Sequence, residues 1–224
     1  MMYFLCFALS GCMGLAAHHY VTHFAQQLTL NIYASYCEIF PENPPPFLPQ
    51  NAILKPIKCG KKWLSFLTAG TIFALNNLIV SRPIFALMIS AGLILLFVIG
   101  LIDWHYKLIS PALCQLLLGI GLGSAYYQII SLPLEQSLFS AGIGFGLFWG
   151  IFHISTWYYQ KEAFGRGDYW LIAALSSFLP WQLLPLFIFL ACLSAIGYAL
   201  ISRTTIIPFA PFLNLGAMIA FVIG

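Results

Sequence analysis

The stretch IFALMISAGLILLFVIGLI, residues 84–102, contains no charge and ends against Asp103. A helix rises 1.5 Å per residue, so this run reaches roughly 28 Å, close to the ~30 Å of a bilayer's hydrocarbon core. Its apolar positions are continuous where a barrel strand would alternate. The stretch therefore predicts a spanning helix. Similar runs occur at 2–18, 64–80, 111–131, 136–158, 169–184, 186–202 and 208–223, with Pro180 and Pro185 crowding the junction between the sixth and seventh spans. Of the 224 residues, 61% are hydrophobic and 7% charged, far more apolar length than a soluble core of this size requires. The expected fold is all-α, a polytopic integral membrane protein of about eight transmembrane helices.

The first run has small residues behind it, in LAAH at Leu15 to His18, but no basic start; the first Lys or Arg is Lys55. It is read as a retained span rather than a cleaved signal, with the amino terminus outside. Eight spans then put Lys55, Lys58, Lys61, Lys62, Lys107, Lys161, Arg166 and Arg203 on the cytoplasmic side and Arg82 alone outside, as positive-inside topology requires. The net charge of +3 thus belongs to a face that suits anionic lipid headgroups of the bilayer, and no nucleic-acid partner is expected.

Residues 19–63 form the one sizeable polar segment, read as a cytoplasmic loop. It holds the proline-dense FPENPPPFLPQN, Phe40 to Asn51, and KPIKCGKK, Lys55 to Lys62. Two units are expected: 1–63, a first helix with its loop, and 64–224, a seven-helix membrane domain. Cys37 and Cys59 stand singly in that loop, with no Cys-x-x-Cys spacing and hence no closed zinc site. His18, His19 and His23 are read as a polar cluster at a helix end, without a third metal ligand. In GIGFGLFWG the spacing of Gly142, Gly146 and Gly150 predicts a helix-packing face.

Only two aspartates occur, Asp103 at the end of the third run and Asp168 at the start of the sixth, and the topology brings both to one edge of the bundle. As isolated residues they read equally well as interfacial charges marking helix ends. As neighbours they could not both ionise easily, which leaves one as a base and one as a proton donor. Gly165 and Gly167 before Asp168 allow backbone conformations closed to other residues, and close approach by a substrate main chain.

Four segments resemble a known family in order along the chain. EAFGRGDYWLIAALSSFLPWQLLP, Glu162 to Pro185, is similar to the Gly-x-Gly-Asp segment of type IV prepilin peptidases, the membrane aspartic proteases of pilus and type II secretion systems. GLIDWHYKLISP, Gly100 to Pro111, resembles the family's first aspartate segment, and IPFAPFLNLGAMIAF, Ile207 to Phe221, its carboxy-terminal proline-rich segment; LSFLTAGTIFAL, Leu64 to Leu75, is a weaker likeness. The resemblance implies Asp103 and Asp168 as the catalytic pair, with Gly165 and Gly167 as the signature glycines positioning substrate; Glu162, in the same segment, is a candidate for substrate positioning and equally suits a helix end or a partner for Lys161 or Arg166. It implies cleavage of the basic leader from prepilins or pseudopilins, in the bacterial inner membrane with the site facing the cytoplasm, and no resident cofactor.

The chain departs from the family pattern in three places, the slightest being Ser110 where the family tends to have proline, with Pro111 one residue later in the loop. Trp170 stands where the signature usually has lysine, which leaves open a second reading, a relative that binds pilin-type helices without cutting them. The paired Cys-x-x-Cys motifs associated with zinc and with methylation from S-adenosylmethionine are missing, which argues against methyl transfer. His105, near Asp103, reads as an interfacial polar residue rather than a catalyst. A transporter is disfavoured, because no acidic residue lies clearly in mid-span and no inverted repeat is visible.

Overall fold

The computed structural model describes residues 2–41, 54–80, 82–160, 165–203 and 207–223. Among them are eight α-helices and no strand: α1 Met2–Ile39, α2 Lys62–Val80, α3 Pro83–Tyr106, α4 Pro111–Tyr126, α5 Leu134–Tyr159, α6 Asp168–Ser176, α7 Leu184–Ser202 and α8 Ala210–Ile223. A short 3-10 turn, Trp181–Leu183, leads into α7. The protein is an all-α polytopic membrane protein. Five helices are long and apolar enough to cross a bilayer, and α4 and α8 are shorter apolar helices. Large apolar side chains such as Leu78, Phe97, Ile154 and Leu200 point outward, which suits a lipid surround and would be costly in water.

The expected span at 169–184 is shorter than read: α6 has 9 residues, about 13 Å of rise. It nevertheless runs from one end of the bundle toward the other. Gly167 before it lies against Ile109, at the end of the bundle where α3 finishes. Ser177 after it accepts a hydrogen bond at its carbonyl from Ser137 Oγ at 2.6 Å, near the start of α5. Every residue from Leu171 to Ser177 is almost fully buried. A short helix suffices because neighbouring helices, and not lipid, surround it, so its irregular ends meet protein partners.

The expected loop at 19–63 is helical through Ile39. No Gly or Pro occurs between Gly14 and Pro41, so nothing in the backbone stops α1 earlier. Its 38 residues measure about 57 Å, well beyond one bilayer core. Burial on α1 ends at Ala25. Phe24 packs on Tyr106 and Tyr20 Oη donates to Ser110 Oγ at 3.0 Å, so the rest of α1 projects past the ends of α3 and α4. The histidines consequently sit mid-helix: His18 is buried with Nδ1 3.0 Å from Ser65 Oγ, and His19 and His23 stack on one another. Residues 42–53, which include most of the proline-dense stretch, lie outside the described residues.

Small residues set the close helix crossings, though at other positions than the spacing suggested. Nothing lies within 4 Å of a Cβ built on Gly142, Gly146 or Gly150; that stripe faces outward. On α5 the packed glycine is Gly144, whose Cβ would collide with Ser176 Oγ of α6. Gly14 brings α1 against Ser65 and Ala69 of α2, and Gly216 brings α8 so near the α7 backbone that a Cβ on it would lie 2.7 Å from Phe187 O and 2.9 Å from Ala191 N. An apolar cavity of about 570 Å³ between α3, α4, α6 and α8 lies toward the end away from the aspartates. Ile99, Leu171 and Leu213, nearer the aspartates, are fully buried.

A side chain at Gly216 has no room without parting α7 from α8. Gly216→Val should lower unfolding stability by about 1–3 kcal/mol, read as an earlier thermal transition in detergent, while Gly150→Ala, with open space at its Cβ, should not lower it.

Candidate active site

Asp103 lies in the last turn of α3. The helix stops four residues later at Lys107, which adopts left-handed φ 57° and donates its N–H to Asp103 O at 2.9 Å. Ser110 follows as the residue before α4, and Pro111 opens that helix, where proline's missing N–H is no loss. A tight four-residue turn, 107–110, therefore carries the chain from Asp103 into α4.

Asp168 is the first residue of α6, closing a turn with Gly165. Its N–H donates to Gly165 O at 3.1 Å, and its Oδ2 accepts the Gly165 N–H at 3.0 Å. The conformational freedom read for the glycines from the sequence is not used. Gly167 has φ −80°, and no described glycine has positive φ. What Gly167 supplies is space: a Cβ there would lie 2.5 Å from Ile109 Cβ and 2.8 Å from Ile109 O. The turn after α3 and the turn before α6 thus rest directly on each other, and this contact brings the two aspartates together. Gly165 is exposed, and a Cβ on it would stand 3.2 Å from Asp168 Oδ2.

Both carboxyl groups are recessed in the bundle, Asp103 at 5% and Asp168 at 8% exposure, and each lies within the electrostatic reach of the other. The first residues of α8 form the third wall. Ala210 donates its N–H to Asp103 Oδ2 at 2.8 Å, and the Phe209 N–H is also turned toward that carboxyl. One turn on, Asn214 Nδ2 donates to Leu96 O of α3 at 2.9 Å, and Gly100 faces Pro211 and Asn214 with room for a Cβ. Cys114 of α4, wholly buried, faces Asp168.

Of the residues singled out in the sequence, Asp103, Asp168, Gly165 and Gly167 are gathered here; Glu162 lies outside the described residues. Arg166 is exposed. Trp170 is half-buried with its ring 5.0 Å from Phe145 of α5, and Tyr169 packs between Phe145 and Phe152. Because Phe152 stands beside Tyr169 and α5 continues to Tyr159, the site sits below the rim of the bundle. His105 is exposed and hydrogen-bonded to Leu101 O of its own helix. The α8 donors were missed as site groups. Their signal was Pro208 and Pro211 ahead of an apolar run, a helix start whose free N–H groups favour an anion.

The class is that of an all-α membrane bundle with two recessed carboxyl groups at one end. The type IV leader peptidase family matches residues 90–200, which span both aspartates. A prepilin leader peptidase/N-methyltransferase of Haemophilus influenzae is 41% identical over 225 residues, covering 100% of this chain and 98% of that protein. Proteins of the same description from Escherichia coli and Legionella pneumophila are 38% identical over 79 residues and 34% over 85, covering 33% and 35% of this chain and 33% and 29% of their own. No solved structure matches the chain. The chain belongs to the type IV leader peptidase family.

The Gly167 contact has a measurable consequence. Gly167→Ala must push the Ile109 turn away and with it Asp103; a misplacement of this kind costs about 10²-fold, expected as that loss of kcat in a leader-cleavage assay with the protein still folded.

Proposed function

We propose that the chain is an aspartic endopeptidase that removes the basic leader peptide from prepilins or pseudopilins, with Asp103 and Asp168 as its catalytic pair. The observation that carries this reading is the Ile109–Gly167 contact, which joins the turns bearing two buried carboxyl groups at one end of a membrane bundle, within electrostatic reach of each other. Like charges at short range in a poorly solvated site resist joint ionisation, so the pair holds one proton and one charge. The charged member takes a proton from water, the water oxygen attacks the scissile carbonyl, and the protonated member supports the developing oxyanion. Family membership supports the same reaction.

Recession of the pair also suits the substrate. A leader cut just before an apolar helix has its scissile bond where water meets lipid. The carboxyl groups lie below the rim and above a largely apolar interior, at that boundary. Lys55, Lys58, Lys61, Lys62, Lys107, Arg166 and Arg203 flank this end and Arg82 the other, which by the positive-inside rule makes the aspartate end cytoplasmic. The membrane is then the bacterial inner one, as the family resemblance implies. Gly165 and Gly167 position the substrate-facing turn, and Glu162, three residues before Gly165 in sequence, is kept as a candidate for substrate positioning.

Methyl transfer is not part of this proposal. Among the described residues no three His, Cys, Asp or Glu side chains cluster as metal ligands. Cys37 lies on the projecting part of α1. Cys59 packs against the edge of the core near Tyr106, and partial burial pushes its thiol above the ordinary range, the opposite of what a thiolate ligand needs. The donor set for a zinc module does not fit.

Coexpressed with a prepilin, Asp103→Asn and Asp168→Asn should each reduce leader removal by roughly 10² to 10⁴-fold, seen as unprocessed prepilin on gels; full processing by either variant would reject the pair. Orientation is checked separately: alkaline phosphatase fused after Arg82 should be active, and fused after Lys62 or Arg203 inactive.

A further inference from the structure

We infer that the two aspartates have distinct parts, Asp103 as the ionised base and Asp168 as the proton carrier. The assignment rests on the peptidase reading above and on an asymmetry in what surrounds each group. Asp103 Oδ2 receives the Ala210 N–H at 2.8 Å, with the Phe209 N–H beside it and Lys107 adding a cationic field. Ala210 and Phe209 are the opening of α8, whose N-terminal N–H groups lack helical partners and carry the positive end of the helix dipole. Asp168 receives the Gly165 N–H at 3.0 Å and is itself the first residue of α6, so a helix N-terminus favours its charge as α8 favours that of Asp103, and the two sites differ in the number of N–H donors and in Lys107. A carboxylate is favoured where more donors and a cation converge, and that place is Asp103.

The groups around the pair keep this ordering. From the end of α3 the facing charge is Lys107, whose Nζ also donates to Trp104 O at 3.0 Å. From α4 the facing group is Cys114. α8 has no ionisable residue. α1 directs Tyr20 to Ser110 and His18 to Ser65, and α5 meets α6 through Phe145 and Phe152. Arg166 and Lys107 are both exposed, so solvent screens both cations, and the larger difference between the two aspartates lies in the backbone donors at the start of α8, while Asp103 acts on Asp168 from within the bundle.

The reaction then closes on itself. Asp103 takes a water proton as the water oxygen bonds to the carbonyl carbon; the carbonyl π pair moves to oxygen, which takes the proton of Asp168. A gem-diol results, with the charge now on Asp168. As the C–N bond breaks, nitrogen takes the proton from Asp103, and Asp168 recovers a proton from a diol hydroxyl. Both residues finish as they began.

The test is the pH dependence of kcat/KM for leader cleavage in two variants. Ala210→Pro deletes the N–H on Asp103 at a first helical position that tolerates proline. Lys107→Asn removes the cation while keeping a residue type that accepts φ 57°. Less support for the Asp103 carboxylate means that the acid limb, where the base becomes charged, moves to higher pH. The expected shift is roughly one to two pH units in Ala210→Pro and smaller in Lys107→Asn, with the alkaline limb in place. Movement of the alkaline limb instead, or of neither, overturns the assignment; if Ala210→Pro does not fold, Lys107→Asn makes the same discrimination. A wild type that removes no leader faults the peptidase reading itself, whereas a cleaving wild type with the wrong limb displaced faults the assignment alone.

Discussion

The packing of Ile109 onto Gly167 is the contact on which the site depends. Asp103 and Asp168 are far apart in sequence, on helices of different length, and each is fixed to its own turn. Gly167 has no Cβ, so the turn before α6 can lie on the turn after α3. With any other residue the two turns must separate, and a pair becomes two isolated buried acids.

Burying two carboxyl groups in a membrane bundle is costly unless they are hydrogen-bonded or share a proton. Backbone donors supply the first remedy. Gly165 and Ala210 each point an N–H at an aspartate oxygen, and these donors need no side-chain ordering. α8 is held at the correct height by the Asn214 bond to Leu96 O and by its close crossing with α7 at Gly216. A region distant from the pair along the chain thereby sets the electrostatics of one member. The short α6, enclosed on all sides, is rigid for the same reason that it can be short: it packs on protein throughout.

Much of this was legible in the sequence. Continuous apolar runs identified the helices, since in lipid a span must satisfy its backbone internally, and the scarcity of acids drew attention to Asp103 and Asp168. Other features were not legible because they depend on who faces whom. Gly142, Gly146 and Gly150 have the spacing of a packing face, yet spacing cannot tell whether a helix turns that face inward; Gly144 is the one that meets α6. The polarity of residues 19–39 suggested a loop, whereas uninterrupted helical propensity carried α1 on to Ile39. Gly165 and Gly167 were recognised for conformational freedom, but the folded chain uses the missing Cβ instead.

The sequence by itself determined the class: an all-α membrane chain, its charges gathered at one end, with two aspartates bounding helices at that end. These follow from hydrophobic length and the cost of charge in lipid, which act on each segment independently. Tertiary structure alone decided that the two aspartates meet, that Ile109 and Gly167 are the hinge of that meeting, and that the N-terminus of α8 supports Asp103 rather than Asp168. Those outcomes are contacts between segments, and a contact of a few ångströms depends on how all the helices pack at once.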